Sequence, residues 1–205
     1  MRTPTLIGTP SVLAETSDRS LVSQGFKNPR TDGIDHASVS HMKACPVLTL
    51  AITPRHDVLV IERFRHQAAF GTTDAARHSL NTLDLKDATT REVPGGNPED
   101  GQSLEDTVRA EVERQTGYKP GEIIRLTEKP LWVDPGTLSF PCQPMLALGC
   151  VRVGNPKPSA TEFFGLRLVH IMSWLDMIDE GGVNDLRTIA VTKLAEKHLC
   201  NRGFI

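Results

Sequence analysis

The sequence predicts an α+β fold. Three observations carry that class: β-rich runs recur from residue 46 onwards, one well-capped helix stands between them, and helical segments close the chain. Hairpins with helices set between and after them differ from the regular strand–helix alternation of a parallel α/β array. The first strands are Pro46–Ile52 (PVLTLAI) and Val58–Ile61 (VLVI), and the polar stretch between them predicts a hairpin. The spacing then predicts a helix over 103–116. Ser103 can cap it, Asp106 lies three residues on, and Leu104, Val108 and Val112 share one face. Gly117 stops it. Strand-like runs follow at 122–127, 143–153 and 162–171. Residues 173–179 and 184–199 read as helices, the second with a buried stripe of Leu186, Ile189, Ala190, Leu194 and Ala195. Residues 1–40 are polar with weak periodicity and a turn at Lys27–Gly33. Residues 71–90 hold no apolar stripe and read as a loop or short surface helix.

Composition sets the outer limits. The 205 residues are 39% hydrophobic and 23% charged, which is ordinary for a globular chain and excludes a fibre or a disordered chain. Net charge is −2, so the strongly basic footprint of a nucleic-acid binder is missing. No run of about 18 apolar residues could span a bilayer, and no membrane partner is expected. Cys45, Cys142, Cys150 and Cys200 match neither a disulfide framework nor a zinc pattern. They read as reduced thiols in a cytoplasmic protein, with Cys142 and Cys150 in the core. The first twenty residues lack the charged start and apolar core of a secretory signal, so none is expected.

One segment carries chemistry. Glu92–Tyr118 reads EVPGGNPEDGQSLEDTVRAEVERQTGY, a tight Gly-Gly turn feeding a loop and an amphipathic helix. It resembles the Nudix box, G-x5-E-x7-R-E-U-x-E-E-x-G-U with U aliphatic. With Gly96 as the first glycine, Glu111, Val112 and Gly117 match and Tyr118 closes the box. The departures are Gln102 for Glu, Ala110 for Arg, and Arg114 and Gln115 for the last two Glu. In the family, glutamates at this spacing converge on Mg²⁺, which takes hard oxygen ligands, together with a carbonyl from the Gly-Gly turn. Here the triplet is Glu111, Arg114 and Gln115. Arginine cannot ligate a metal; it is placed to pair with Glu111 three residues back.

The resemblance extends over roughly residues 45–200 and is closest to the ADP-ribose or ADP-sugar pyrophosphatase branch. VLVIERFRH (Val58–His66) is similar to the strand with a phosphate-binding arginine, which would be Arg65. LWVDPGTLS (Leu131–Ser139) is similar to the loop after the box helix, which would place Asp134. TEFFGLRLV (Thr161–Val169) is similar to the strand that opens on an acidic residue assisting catalysis, which would be Glu162. GGVNDLRTIAVTKLA matches the family's last helix. The implied fold is an α/β/α sandwich over 45–205, with a mixed sheet between the box helix and the last helix. Residues 1–44 would form a strand-bearing arm that pairs with a second copy in a homodimer. That arm usually supplies tryptophans for adenine. Here both tryptophans, Trp132 and Trp174, lie beyond it and read as core, and His36 stands at one such position.

Three functions follow from this pattern. The lost ligands rank first a repurposed, metal-independent enzyme acting on a small organic molecule. Glu111, Glu162 and Asp134 would be its acid/base groups. Arg65, Gly95, Gly96, Arg114 and Gln115 would face the ligand, with 70–90 as a lid. The alternatives are residual or altered Mg²⁺-dependent hydrolysis of an ADP-ribose-like diphosphate, and ligand binding without turnover. No cofactor or metal is expected unless hydrolysis survives, when Mg²⁺ would sit on Glu111 and Gly95. His170 reads as a packed histidine.

Overall fold

The computed structural model describes residues 5–16, 19–65, 88–135, 138–160 and 162–205. The strands up to the first helix are Thr5–Glu15 (β1), Arg19–Lys27 (β2), Ile34–Met42 (β3), Val47–Ala51 (β4), Asp57–Phe64 (β5), Thr89–Glu92 (β6) and Gly95–Gly96 (β7). Helix Leu104–Thr116 (α1) leads to Tyr118–Lys119 (β8), Glu122–Arg125 (β9), Leu131–Trp132 (β10), Leu138–Ser139 (β11), Pro141–Leu148 (β12), Val151–Arg152 (β13) and Phe164–His170 (β14). Helices Ile171–Asp179 (α2) and Leu186–Cys200 (α3) end the chain. The expected loop at 71–90 lies outside the described residues as far as 87; Ala88 is buried and Thr89 and Thr90 already belong to β6.

The chain forms two compact units, Met1–Pro46 with Lys129–Cys142, and Val47–Glu128 with Gln143–Ile205. In the first, β1, β2 and β3 make an antiparallel meander, and β11 adds in parallel to β3. The turn at 27–33 forms as the sequence indicates: Asn28 Oδ1 accepts from Arg30 N, and Asp32 takes a left-handed φ of 59°. His36, in β3, lies against Gly25 of β2. Trp132 is 56% exposed, so its expected place in the core is not observed.

The second unit is built on β4, which is buried at every residue. It pairs in parallel with β12 and antiparallel with β7. Helices α1 and α3 both pack against it, and a strand covered on both faces has no polar side to show. Val47 and Ala51 meet Val108 and Val112 of α1, with Met145 and Ala147 from β12. A second sheet runs β14–β5–β6. The hairpin expected from β4 and β5 therefore does not form. An antiparallel Ile52–Val58 bridge and a Thr53 N to Asp57 carbonyl hydrogen bond at 2.9 Å close the turn between them, but no ladder follows and each strand enters a different sheet. The turn between them is too short to show this, because strand pairing is decided by distant partners.

α1 matches its expected cap, face and stop: Ser103 accepts from Asp106 N, Val108 and Val112 are buried, and Gly117 is left-handed at φ 73°. α2 begins at Ile171 and buries Trp174, whose Nε1 donates to Thr192 Oγ1 at 3.1 Å. His170 is exposed and caps this helix instead of packing inside. α3 turns differently from expectation. Leu186 is 67% exposed and Leu194 37%, whereas Thr188, Val191, Thr192, Ala195 and Leu199 are buried. Its threonines find partners, Thr188 Oγ1 accepting from Val93 N and Thr192 from Trp174, so a polar pair replaces leucines on the inner face. The rotated face makes a direct prediction. Leu199→Ala should lower unfolding free energy by about 2–5 kcal/mol. Leu186→Ala should stay within about 0.5 kcal/mol of the parent in the same denaturant titration.

Candidate functional site

The loop from β6 into α1 places two glycines under the helix. A Cβ on Gly95 would strike the Val47 carbonyl, and one on Gly96 would meet the Glu111 carboxyl. Glycine at both positions lets the backbone come this close. Helical spacing then sets Glu111, Arg114 and Gln115 on one face of α1.

These three side chains close a network. Arg114 Nε and Nη2 donate to Glu111 Oε1 and Oε2 at 3.2 and 2.8 Å. The same guanidinium donates through Nη1 and Nη2 to Glu162 Oε2 and Oε1 at 2.5 and 3.3 Å. Both pairings are forks, the geometry arginine is built for. Gln115 Nε2 donates to the Gly95 carbonyl at 2.6 Å and to Glu111 Oε2 at 2.7 Å. Glu162 also accepts from Ser159 N at 3.0 Å. Its burial opposes ionisation, but Arg114 and Ser159 outweigh that and hold its carboxyl down at about 2. Glu111, and then Glu162, hold the Arg114 proton more firmly than usual.

Two residues that the sequence did not single out complete the cluster. Arg63, with only 12% of its side chain exposed, donates to Gln115 Oε1 at 3.2 Å, lies 3.4 Å from Glu162 Oε1, and sits over the Phe164 ring. Burial pushes its guanidinium pKa down. Glu92 is buried and takes Arg65 as a fork, at 2.7 and 2.5 Å, with Thr90 Oγ1 donating at 2.6 Å. Burial alone would raise the Glu92 carboxyl, but Arg65 and Thr90 hold it below its ordinary value. The period-2 rule could have found both: Arg63 alternates with Arg65, which follows the end of β5, and the register sets Thr90 opposite Arg63 and Glu92 opposite Ile61, two residues along on the same face. Of the predicted residues, Glu111, Arg114, Gln115, Glu162, Gly95 and Gly96 converge. Arg65 lies beside them but is engaged by Glu92. Asp134 belongs to the other unit, in the turn ahead of β11, where its carbonyl accepts from Leu138 N. Cys142 and Cys150 are buried as expected, and burial pushes the Cys150 thiol up to about 12.

A crystal structure of an ADP compounds hydrolase superposes on this chain with a TM-score of 0.78 at 12% identity, covering 100% of this chain and 98% of that one. The fold is Nudix-like. No family model and no curated protein matches the sequence.

A fold of this type raises the question of Mg²⁺. The donor set here does not suit it. The two oxygens that a divalent ion would share, the Gly95 carbonyl and Glu111 Oε2, are already bridged by the Gln115 amide nitrogen. Glu111 and Glu162 are bridged by the Arg114 cation. An amide N–H and a guanidinium are donors and offer no lone pair to a hard cation.

The lowered Glu162 pKa fixes the sign of an acid effect. Its folded value lies below the ordinary 4.5. Its contribution to stability is therefore complete above about 4.5 and is lost as pH falls towards about 2. In chemical unfolding from pH 7 to 2, the parent should exceed Glu162→Gln at neutral pH. The gap should close in that window; a gap independent of pH would remove the clamp's electrostatic role.

Proposed function

We propose that this chain is a Nudix-fold protein that handles a small organic molecule without a divalent metal, with Arg114 and Gln115 in the place of the ion. The observation behind this reading is the pair of bridges they make, from Glu111 to Glu162 and from Glu111 to the Gly95 carbonyl. A diphosphate hydrolase of this fold uses metal to offset the charge of its substrate and to activate water. Here the carboxylates are neutralised from within.

Binding in the resting arrangement fits the site better than proton transfer. All four oxygens of Glu111 and Glu162 accept hydrogen bonds or face a guanidinium. A carboxyl held at about 2 is a poor general base at neutral pH. Turnover then depends on Arg114. A ligand anion that draws the guanidinium away frees Glu111 and Glu162 for acid/base work, which is how the two glutamates keep a catalytic role in this reading. We also propose that the N-terminal strands pair with a second copy. Leu6, Val12, Leu13 and Ile34 are exposed there, and light scattering at tens of micromolar should give a dimer.

Calorimetry with Mg²⁺ and Mn²⁺ should show no site tighter than millimolar, and a micromolar site mapped to Glu111 would overturn the reading. Gln102→Glu, Ala110→Arg, Arg114→Glu and Gln115→Glu together should restore the ligand set. That variant should gain Mg²⁺-dependent hydrolysis of ADP-ribose by at least about tenfold, or roughly 1.4 kcal/mol of barrier. Normal hydrolysis by the parent would refute the proposal outright.

A further inference from the structure

We propose that the seat between Glu111 and Glu162 is a binding site for a guanidinium group, held shut by the chain's own Arg114, and that the ligand carries such a group and exchanges with it. Arg114 forks onto Glu111 through Nε and Nη2 and onto Glu162 through Nη1 and Nη2. The two carboxylates therefore grip one planar ion along two of its edges. That geometry is selective. A guanidinium presents its N–H groups in fixed forks and meets both carboxylates at once, whereas an ammonium is a compact point charge.

An ordinary ion pair loses its geometry when one partner leaves. Here each carboxylate has an anchor of its own. Glu111 Oε2 accepts from Gln115 Nε2 at 2.7 Å, and Gln115 is tied in turn to the Gly95 carbonyl and to Arg63. Glu162 accepts from Ser159 N at 3.0 Å and lies 3.4 Å from Arg63 Nη2. Arg114 has no such anchor: among the described residues its guanidinium bonds only to the two glutamates. Its side chain is 32% exposed. It also lines a cavity of about 320 Å³ in which Ala110, Gly117 and Gly154 bring almost no side chain, so there is room beside it. The seat is fixed by its surroundings, and its occupant is fixed only by the seat.

Charge balance names the ligand class. An anion that drew Arg114 out by itself would leave two partly buried carboxylates with only Arg63 to offset them, and unpairing such groups is strongly unfavourable. Exchanging one guanidinium for another leaves both carboxylates paired. A carboxylate on the same molecule then meets the displaced Arg114, so the class is a guanidino acid, cationic at one end and anionic at the other. Arg114 also sets a threshold. It lowers the apparent affinity by the fraction of molecules in which it has left the seat, so a ligand that cannot form both forks does not open the site. The inference rests on the metal-free reading, because a divalent ion would compete for the same two glutamates.

The test is a ¹H–¹⁵N NMR titration of the full chain in EDTA, read at the Arg114 Nε–H and the Gln115 side-chain amide. In the parent, γ-guanidinobutyrate should shift both signals saturably. Its ammonium counterpart γ-aminobutyrate and the bare anion butyrate should leave them in place, and an equal response to either would overturn guanidinium exchange. In Arg114→Ala the seat is vacant. Methylguanidinium should bind there at least about tenfold more tightly than methylammonium, and at least about tenfold more tightly than it binds the parent. Adding Glu162→Gln should abolish that preference. Equal affinity for the two cations, or a preference that survives Glu162→Gln, would overturn the site. If Arg114→Ala does not fold, the parent decides alone: an Arg114 Nε–H signal that γ-guanidinobutyrate does not move refutes the proposal. Mg²⁺ is titrated separately without EDTA. A shift at Glu111 and Arg114 there would count against the metal-free reading, while the cation preference of Arg114→Ala judges the seat independently of it.

Discussion

Two carboxylates held close together need a cation between them, and in this protein that cation is part of the chain. Arg114 forks onto Glu111 on its own helix and onto Glu162 ahead of β14. Without it, two partly buried negative charges would converge with only Arg63 to offset them. Removing one partner of such a pair costs far more than the pair contributes, because the remaining charge is left unpaired. The clamp is therefore better understood as a condition for the cluster than as an added source of stability. It also joins two elements distant in sequence, α1 and the segment before β14.

The same balance extends along β5. Arg63, Arg65 and Arg114 stand against Glu92, Glu111 and Glu162, three charges of each sign. Arg63 feels Arg65, Glu92, Glu162 and Arg114 together, so these groups form one electrostatic unit. Such a unit has no unmet demand for positive charge, which is the demand a divalent ion answers at carboxylate-only sites. Its positions are set by apolar packing elsewhere. β4 lies buried between α1 and α3, α1 rests on Val47 and Ala51, and the glycines at 95 and 96 let Glu111 approach the turn.

Much of this was readable in the sequence, and the unread parts have physical reasons. Ser103, the Leu104–Val108–Val112 face and Gly117 are local signals, and α1 obeys each of them. The Arg114–Glu111 pair follows from helical spacing alone. The β4–β5 hairpin failed because adjacency in the chain says nothing about β12 and β14, which take the two strands as partners. The α3 stripe failed because leucines were weighted over Thr188 and Thr192, whose hydroxyls are satisfied inside by Val93 and Trp174. Glu92 was hidden because a glutamate two residues ahead of Pro94-Gly95-Gly96 looks like a turn residue until the register places it opposite Ile61, within reach of the Arg65 side chain.

Arg114 and Gln115 act as a pair. Gln115 still spans the Gly95 carbonyl and Glu111, but as a donor where a glutamate would be an acceptor needing an ion between. Its other end accepts from Arg63, which would otherwise face the cluster with less to hold it. Arg114 supplies the charge and Gln115 the bridging N–H, so between them they reproduce the electrostatic and geometric parts of a bound cation. What they do not reproduce is an open coordination position for water or substrate oxygen, and that is the part of a metal centre that performs hydrolysis. A site that carries its own cation and bridging donor has shape and neutrality without an open coordination position. In the function proposed above, those properties serve recognition of a ligand, and chemistry depends on whether the ligand displaces Arg114.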